Sequence, residues 1–212
     1  MRKIRRMPKL EYRFCIALAL GVLFQGRSEA CEPPAGFVNP PRPDIAPLAE
    51  LMSHTEVKEI AQSLADVMKS ANRPLRIDAT KDLAGVSGTF RLSNGPYGTV
   101  GARRLVCKTD GSIAVEEVLL AESNSEGSRF RYVVWNYTGD EYRDVDYAIG
   151  EFVRTQPAPD RTHVAWTYRF ALKSGLSGEE KDRFQKIFLE RKLSLWMRTQ
   201  LDREPPKADA KP

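Results

Sequence analysis

From Val86 to Lys173 apolar side chains recur at every second residue, and after Ser177 that period gives way to one of 3.6. No other feature constrains the fold as strongly. The first stretch divides into six segments rich in Val, Tyr, Phe, Trp and Thr: Val86–Leu92, Thr99–Lys108, Ser112–Ala121, Arg129–Tyr137, Val145–Thr155 and Thr162–Lys173. These read as strands. The turn sequences between them include Asn94-Gly95-Pro96, Asp110-Gly111, Ser123–Ser128 and Pro157–Asp160, so strands adjacent in sequence pair antiparallel. Ser177 then caps a helix with Glu179 and Glu180 in its first turn, where acidic charge meets the positive end of the helix dipole. Phe184, Ile187, Phe188, Leu195, Trp196 and Leu201 give that helix one apolar face. A sheet with a single long helix to cover it curls around that helix, because both must bury an apolar face. The predicted class is α+β, a curved antiparallel sheet of six or seven strands wrapped around a long C-terminal helix.

The residues before Val86 are patterned less strongly. Residues 31–44 (CEPPAGFVNPPRPD) are proline-rich and are expected to form an extended strip outside the core. Asp44 is a good N-cap, which predicts a short helix over Ile45–Ser53. Glu56–Gln62 fits a helix or a strand. Ser63–Ala71 reads as a helix with Leu64, Val67 and Met68 on one side, and Ala79–Leu83 as a further short helical piece. The ligand-binding domain is expected to span 56–203, and the tail PPKADAKP after Glu204 to be disordered.

The first thirty residues have the pattern of a cleavable secretory signal. Arg2, Lys3, Arg5, Arg6 and Lys9 crowd the start, Phe14–Phe24 is an apolar run, and Ser28-Glu29-Ala30 ends the segment with small residues where a signal peptidase reads them. The apolar run is far shorter than the roughly 20 residues a membrane-spanning helix needs, which weighs against the rival reading, an uncleaved anchor. Ser28 and the charged Glu29 disfavour lipidation of Cys31. Export to the periplasm or medium is therefore expected, with no stable membrane anchor after cleavage near Ala30. Removing the leader also changes the charge argument. The chain has 33 Lys+Arg against 28 Asp+Glu, and the leader holds seven of those bases and two of the acids, which leaves 26 against 26. A neutral exported domain lacks the basic stripe of a nucleic-acid binder, and that class is excluded.

Cys31 and Cys107 are the thiols that remain after cleavage. They either pair in an oxidising compartment, or Cys107 is a small buried strand residue and Cys31 sits free on the terminal strip. His54 and His163 are far apart in sequence and have no cysteine pairs, so no zinc spacing exists, and no metal or other cofactor is expected. Ser, His and Asp offer no triad signature.

Several motifs, taken in order, resemble a known family. Gly98-Thr-Val-Gly-Ala-Arg-Arg104, Asp110-Gly111 and Val115-Glu116 are similar to the "G…R…DG…E" signature of the SRPBCC superfamily, the START and polyketide-cyclase-like group that includes the birch-pollen allergen. Tyr147–Phe152 and Val164–Phe170 resemble its sixth and seventh strands. Ser63–Val67 resembles its first helix, with Met68 where tryptophan is usual. The resemblance covers about residues 56–202. It implies the helix-grip fold and a cavity for an apolar ligand, but no particular chemistry, because the superfamily holds carriers, cyclases and binding proteins alike.

Candidate site residues follow from register. A three-residue loop at Thr109-Asp110-Gly111, with Gly111 left-handed, sets Arg104 opposite Glu116 and Arg103 opposite Glu117. Arg104 and Glu116 share a face with Val100, Ala102, Val106, Val118 and Leu120, which puts that pair inside and the other facing solvent. Inside, the pair is either a polar anchor for a ligand or a structural ion pair. Trp166, Tyr168 and Phe170 alternate toward the helix, and Tyr132 and Tyr147 are placed to offer hydroxyls to the space. Glu151 is a general-base candidate only if buried, and His163 points outward. The expected function is binding or carriage of a hydrophobic, lipid-like or aromatic small molecule. Two alternatives stand beside it. One is a cyclase- or dehydratase-type enzyme in which Arg104, Glu116 and a tyrosine polarise a carbonyl. The other is a structural module filled by its own side chains.

Overall fold

The computed structural model describes residues 31–71 and 77–203; the predicted leader and the tail after 203 lie outside the described residues. Seven strands form one antiparallel sheet: β1 (Met52–Ile60), β2 (Val86–Arg91), β3 (Arg103–Lys108), β4 (Ile113–Ser123), β5 (Gly127–Trp135), β6 (Val145–Ala158) and β7 (Arg161–Leu172). Helix α1 (Leu64–Ala71) follows β1, and the terminal helix α2 (178–201) closes the chain. The sheet order is β1-β7-β6-β5-β4-β3-β2, so the first strand pairs with the last and consecutive hairpins build the rest. The curved sheet grips α2, as the period switch predicts.

Two local expectations in the N-terminal part are corrected. Ile45–Ser53 is not a helix: Leu48–Glu50 make a single 3-10 turn and β1 begins at Met52. The period of β1 is hard to see in sequence because its inward positions His54, Glu56 and Lys58 are polar. Glu56 and Lys58 are satisfied by α2, where Ser194 Oγ donates to Glu56 Oε1 at 2.6 Å and Lys58 Nζ donates to the Leu201 carbonyl at 2.8 Å, and His54 Nε2 pairs with Glu56 Oε1 at 2.8 Å. Ala79–Leu83 is likewise not helical. The Thr80 N–H bonds the Leu83 carbonyl and the Leu83 N–H bonds Thr80 Oγ1, a tight turn that drives Leu83 into the core.

The start of α2 follows the sequence closely. Ser177 Oγ accepts from the Glu180 N–H while the Glu180 carboxylate accepts from the Ser177 N–H, a reciprocal capping box. The middle departs from it. Phe184–Leu193 is wound as a π-helix between the α-helical turns Gly178–Arg183 and Ser194–Leu201. The wider turn rotates the buried stripe to Phe184, Phe188, Leu189, Leu193 and Met197, leaving Ile187 and Leu195 exposed instead of on the apolar face.

The sheet has a core on each side. The inner one lies between sheet and α2; the outer one gathers Leu105, Val115, Val133, Trp135, Tyr147 and Ile149. The outer face is covered by the proline-rich strip, whose Phe37 packs there together with Ile45, Leu48 and Leu51. The strip is extended as expected but belongs to the core, because a sheet with two apolar faces needs a cover on each. Cys31 pins it by a disulfide to Cys107 on β3, with 5.6 Å between the Cα atoms. A Cβ on Gly88 would lie 2.8 Å from the Cys31 Cβ, so β2 needs glycine where the strip crosses it. The same cover buries Glu117, which was expected to face solvent: it pairs with Arg103 at 2.5 Å and with Arg42 of the strip at 2.9 Å. Among the described residues no helix is long and apolar enough to cross a membrane.

Candidate functional site

A cavity of about 1190 Å³ lies between the inner face of the sheet and α2, with Val67 and Met68 of α1 at one end. Strand alternation supplies its aromatic wall. Phe130 and Tyr132 come from β5, Phe152 from β6, Trp166, Tyr168 and Phe170 from β7, and Trp196 from α2. Phe152 stacks on Trp166 at 4.8 Å, and Trp166 meets Trp196 at 5.4 Å. Tyr132 and Tyr168 join hydroxyls at 2.9 Å. Tyr132 lies directly over Gly150, and a Cβ there would occupy the space of its ring. Burial pushes the hydroxyl pKa of both tyrosines up, so each serves as a hydrogen-bonding neutral group.

The polar part of the wall is the predicted pair. Gly111 is left-handed (φ 83°), Lys108 N–H bonds the Ser112 carbonyl, and Arg104 falls opposite Glu116. Arg104 Nε donates to Glu116 Oε2 at 2.5 Å. Burial disfavours the guanidinium charge, but Glu116 together with Tyr97 and Tyr132 outweighs burial, and the net effect is to hold it more firmly protonated. The Arg104 guanidinium also lies 3.6 Å from the centroid of the Tyr97 ring. Tyr97 Oη is buried beside Glu116 without a well-formed hydrogen bond, and burial first, then the Glu116 charge, raises its pKa.

Lys108 supplies a second cation to the wall. Its Nζ is buried without a hydrogen-bond partner, 3.6 Å from the Tyr142 ring centroid and 3.5 Å from Glu141 Oε1. Burial lowers its pKa to about 8, with Glu141 opposing. Trp166 Nε1 is another buried donor without a well-formed partner.

Of the residues singled out in the sequence, Arg104, Glu116, Tyr132, Trp166, Tyr168 and Phe170 meet at this cavity. Tyr147 does not. It alternates with the inward Ala148, Gly150 and Phe152 and so shares the outer face with Ile149, where its hydroxyl accepts from the Ala46 N–H at 2.8 Å. Leu120 is displaced by the bulge between Val118 and Leu120, and sits opposite Arg131. Val100 is exposed, because 99–102 form a turn with Gly101 left-handed and β3 starts only at Arg103. Glu151 is buried on the outer face, where it accepts from Arg129, Arg131 and Arg169. Burial alone would raise its pKa, but the arginines lower it, which removes it as a base.

Tyr97, Lys108, Tyr137, Tyr142 and Arg154 also line the cavity and were not singled out. For Arg154 a signal exists: it is two and four residues from Phe152 and Gly150 on one strand, and so shares their face. Tyr97 and Tyr142 sit in connections, where no period points. Among the described residues no group of three or more His, Cys, Asp or Glu is arranged to hold a metal ion.

No family model and no curated protein matches the chain. Solved structures similar to it include a START superfamily protein from Mycobacterium smegmatis, at 12% identity and TM-score 0.44, covering 70% of this chain and 97% of that one. Another is Ara h 8.0201, at 12% identity and TM-score 0.42, covering 64% and 89%. A third is a norcoclaurine synthase point mutant from Thalictrum, at 10% identity and TM-score 0.42, covering 70% and 96%. The fold of this chain rests on its own topology, and at these values the likenesses carry no argument about ligand or chemistry.

Proposed function

We propose that the protein is an exported binding or carrier protein for an apolar, lipid-like or aromatic small molecule held between the sheet and the terminal helix. The observation that carries this reading is the aromatic-walled cavity of about 1190 Å³, somewhat larger than the usual small-molecule site and left unfilled by the protein's own side chains. Export is supported separately. Cys31 directly follows the predicted cleavage point, and its disulfide to Cys107 is of the kind that persists in oxidising compartments. A second reading, carbonyl polarisation by Arg104, Glu116 and a tyrosine, is favoured by the unpartnered Tyr97 hydroxyl beside that pair.

Titration of the exported protein with apolar ligands tests the binding reading. Trp166 and Trp196 lie in the cavity wall and Trp135 on the opposite face, so a ligand should quench most but not all of the tryptophan emission. Trp166→Ala should weaken binding by calorimetry. If native mass spectrometry after lipid extraction finds no bound molecule and a panel of fatty acids, alcohols and naphthalenes gives no heat, the reading is wrong. Intact mass of the exported form should start at or near Cys31; a form retaining Phe14–Phe24 in the membrane fraction overturns the export proposal.

A further inference from the structure

The charges around the cavity do not balance. Arg104 is matched by Glu116, Lys108 by Glu141 at 3.5 Å, Arg129 by Glu151 and Arg203 by Asp78. Glu122 is exposed and lies opposite Arg129 in the ladder, on the outer-face register. Arg154 remains. Its guanidinium lies 4.8 Å from the Phe152 ring centroid, and no ion pair with it forms among the described residues. Burial lowers its pKa, opposed only by the nearby Tyr132.

Beside Arg154 lies a donor short of a strong acceptor. Ser128 is its cross-strand partner on β5, is buried, and spends its hydroxyl on the thioether of Met68 at 3.3 Å, a weak acceptor. On the other side Arg154 faces Val164, two residues from Trp166, whose indole N–H is directed at the Tyr132 hydroxyl. One end of an apolar cavity therefore holds an uncompensated cation beside a weakly bonded hydroxyl. A neutral hydrocarbon would leave the guanidinium unmet and Ser128 with only a thioether, and a cationic ligand would be repelled.

We infer that the ligand is an apolar acid, whose single carboxylate sits at Arg154 and Ser128 and whose hydrocarbon or aromatic body lies along Phe152, Trp166 and Tyr168. This rests on the binding reading above and assigns its ligand class. A carboxylate at that point supplies the oxygen acceptors the wall lacks, and a guanidinium takes both oxygens at once.

Matched ligands that differ only at the head test it: dodecanoate against 1-dodecanol, and 2-naphthylacetate against 2-(2-naphthyl)ethanol, by calorimetry at fixed ionic strength. The wild type should prefer the acid of each pair by tenfold or more. Arg154→Gln should weaken acid binding by tenfold or more and remove the preference, while Arg154→Lys, which keeps the charge, should retain most of it. Circular dichroism melts confirm that the variants are folded. If the wild type binds acid and alcohol equally, the acid assignment is wrong and the binding reading stands. If Arg154→Gln keeps the preference, the carboxylate is seated elsewhere and the assignment to Arg154 is wrong. If neither member of either pair binds the wild type, the binding reading fails and takes this inference with it.

Discussion

Breaking the Cys31–Cys107 bond should destabilise the protein strongly, and the structure sets the size of the effect. The bond closes a loop with a sequence separation of 76. Loop-closure entropy for that separation corresponds to about 4.5 kcal/mol lost when the link is cut. For a domain of this size a loss of 1 kcal/mol lowers Tm by roughly 2–4 °C, so reduction should lower it by roughly 9–18 °C. The strip keeps its apolar contacts through Phe37, Ile45, Leu48 and Leu51, so the loss should be one of stability and not of fold. Gly88 provides an internal check. In the oxidised protein Gly88→Ala places a methyl 2.8 Å from the Cys31 Cβ, an overpacking that typically costs about 1–3 kcal/mol. Once the bond is reduced the end of the strip can move aside, and the penalty should shrink. The assay is a set of guanidinium melts on wild type, Cys31→Ser and Gly88→Ala, each with and without dithiothreitol. Equal midpoints for oxidised and reduced wild type would refute the reasoning, and so would a Gly88→Ala penalty that is the same in both states.

Three further outcomes are expected. Arg104→Ala leaves Glu116 buried without its partner and should cost on the order of 3–5 kcal/mol, whereas Arg104→Met with Glu116→Leu should come close to wild type; denaturant melts that give equal losses would show that the pair is not desolvated as described. Lys108 has its pKa lowered to about 8, so between that value and the unfolded value of 10.5 the unfolded chain binds the extra proton and stability rises with pH. The gain is on the order of 3 kcal/mol. Melts at pH 8 to 10.5 should show this slope in the wild type but not in Lys108→Met, and parallel curves for the two would refute it. Gly150→Ala should displace the Tyr132 ring and break its bond to Tyr168, costing about 1–3 kcal/mol and changing the near-ultraviolet dichroism; an unchanged spectrum would show that the ring is not held where described.

What the sequence determined by itself was local. Alternation from Val86 onward placed six of the seven strands, because the two-residue period is a property of each segment alone. The Thr109-Asp110-Gly111 loop determined the register of Arg104 with Glu116, since a three-residue turn admits one pairing. The capping box at Ser177 determined where the helix begins. The tertiary structure decided wherever one element's choice depends on another. β1 is a strand because β7 offers it an edge and α2 satisfies its inward Glu56 and Lys58, neither of which is written in MSHTEVKEI. The bulge at Val118/Leu120 reverses which side chains face inward. A bulge sets two residues against one on the partner strand, so one strand read alone cannot show it. The π-wound turn moves the buried stripe of α2 to Leu189, Leu193 and Met197, a shift that a 3.6-residue period cannot anticipate. The proline-rich strip joins the core because the outer face is apolar and a disulfide holds the strip there. The cavity's charge balance depends most on the tertiary fold. That Arg154 meets no carboxylate among the described residues while Arg104 and Lys108 each meet one is settled by which strands and turns meet at the wall, and it is this difference on which the proposed ligand class rests.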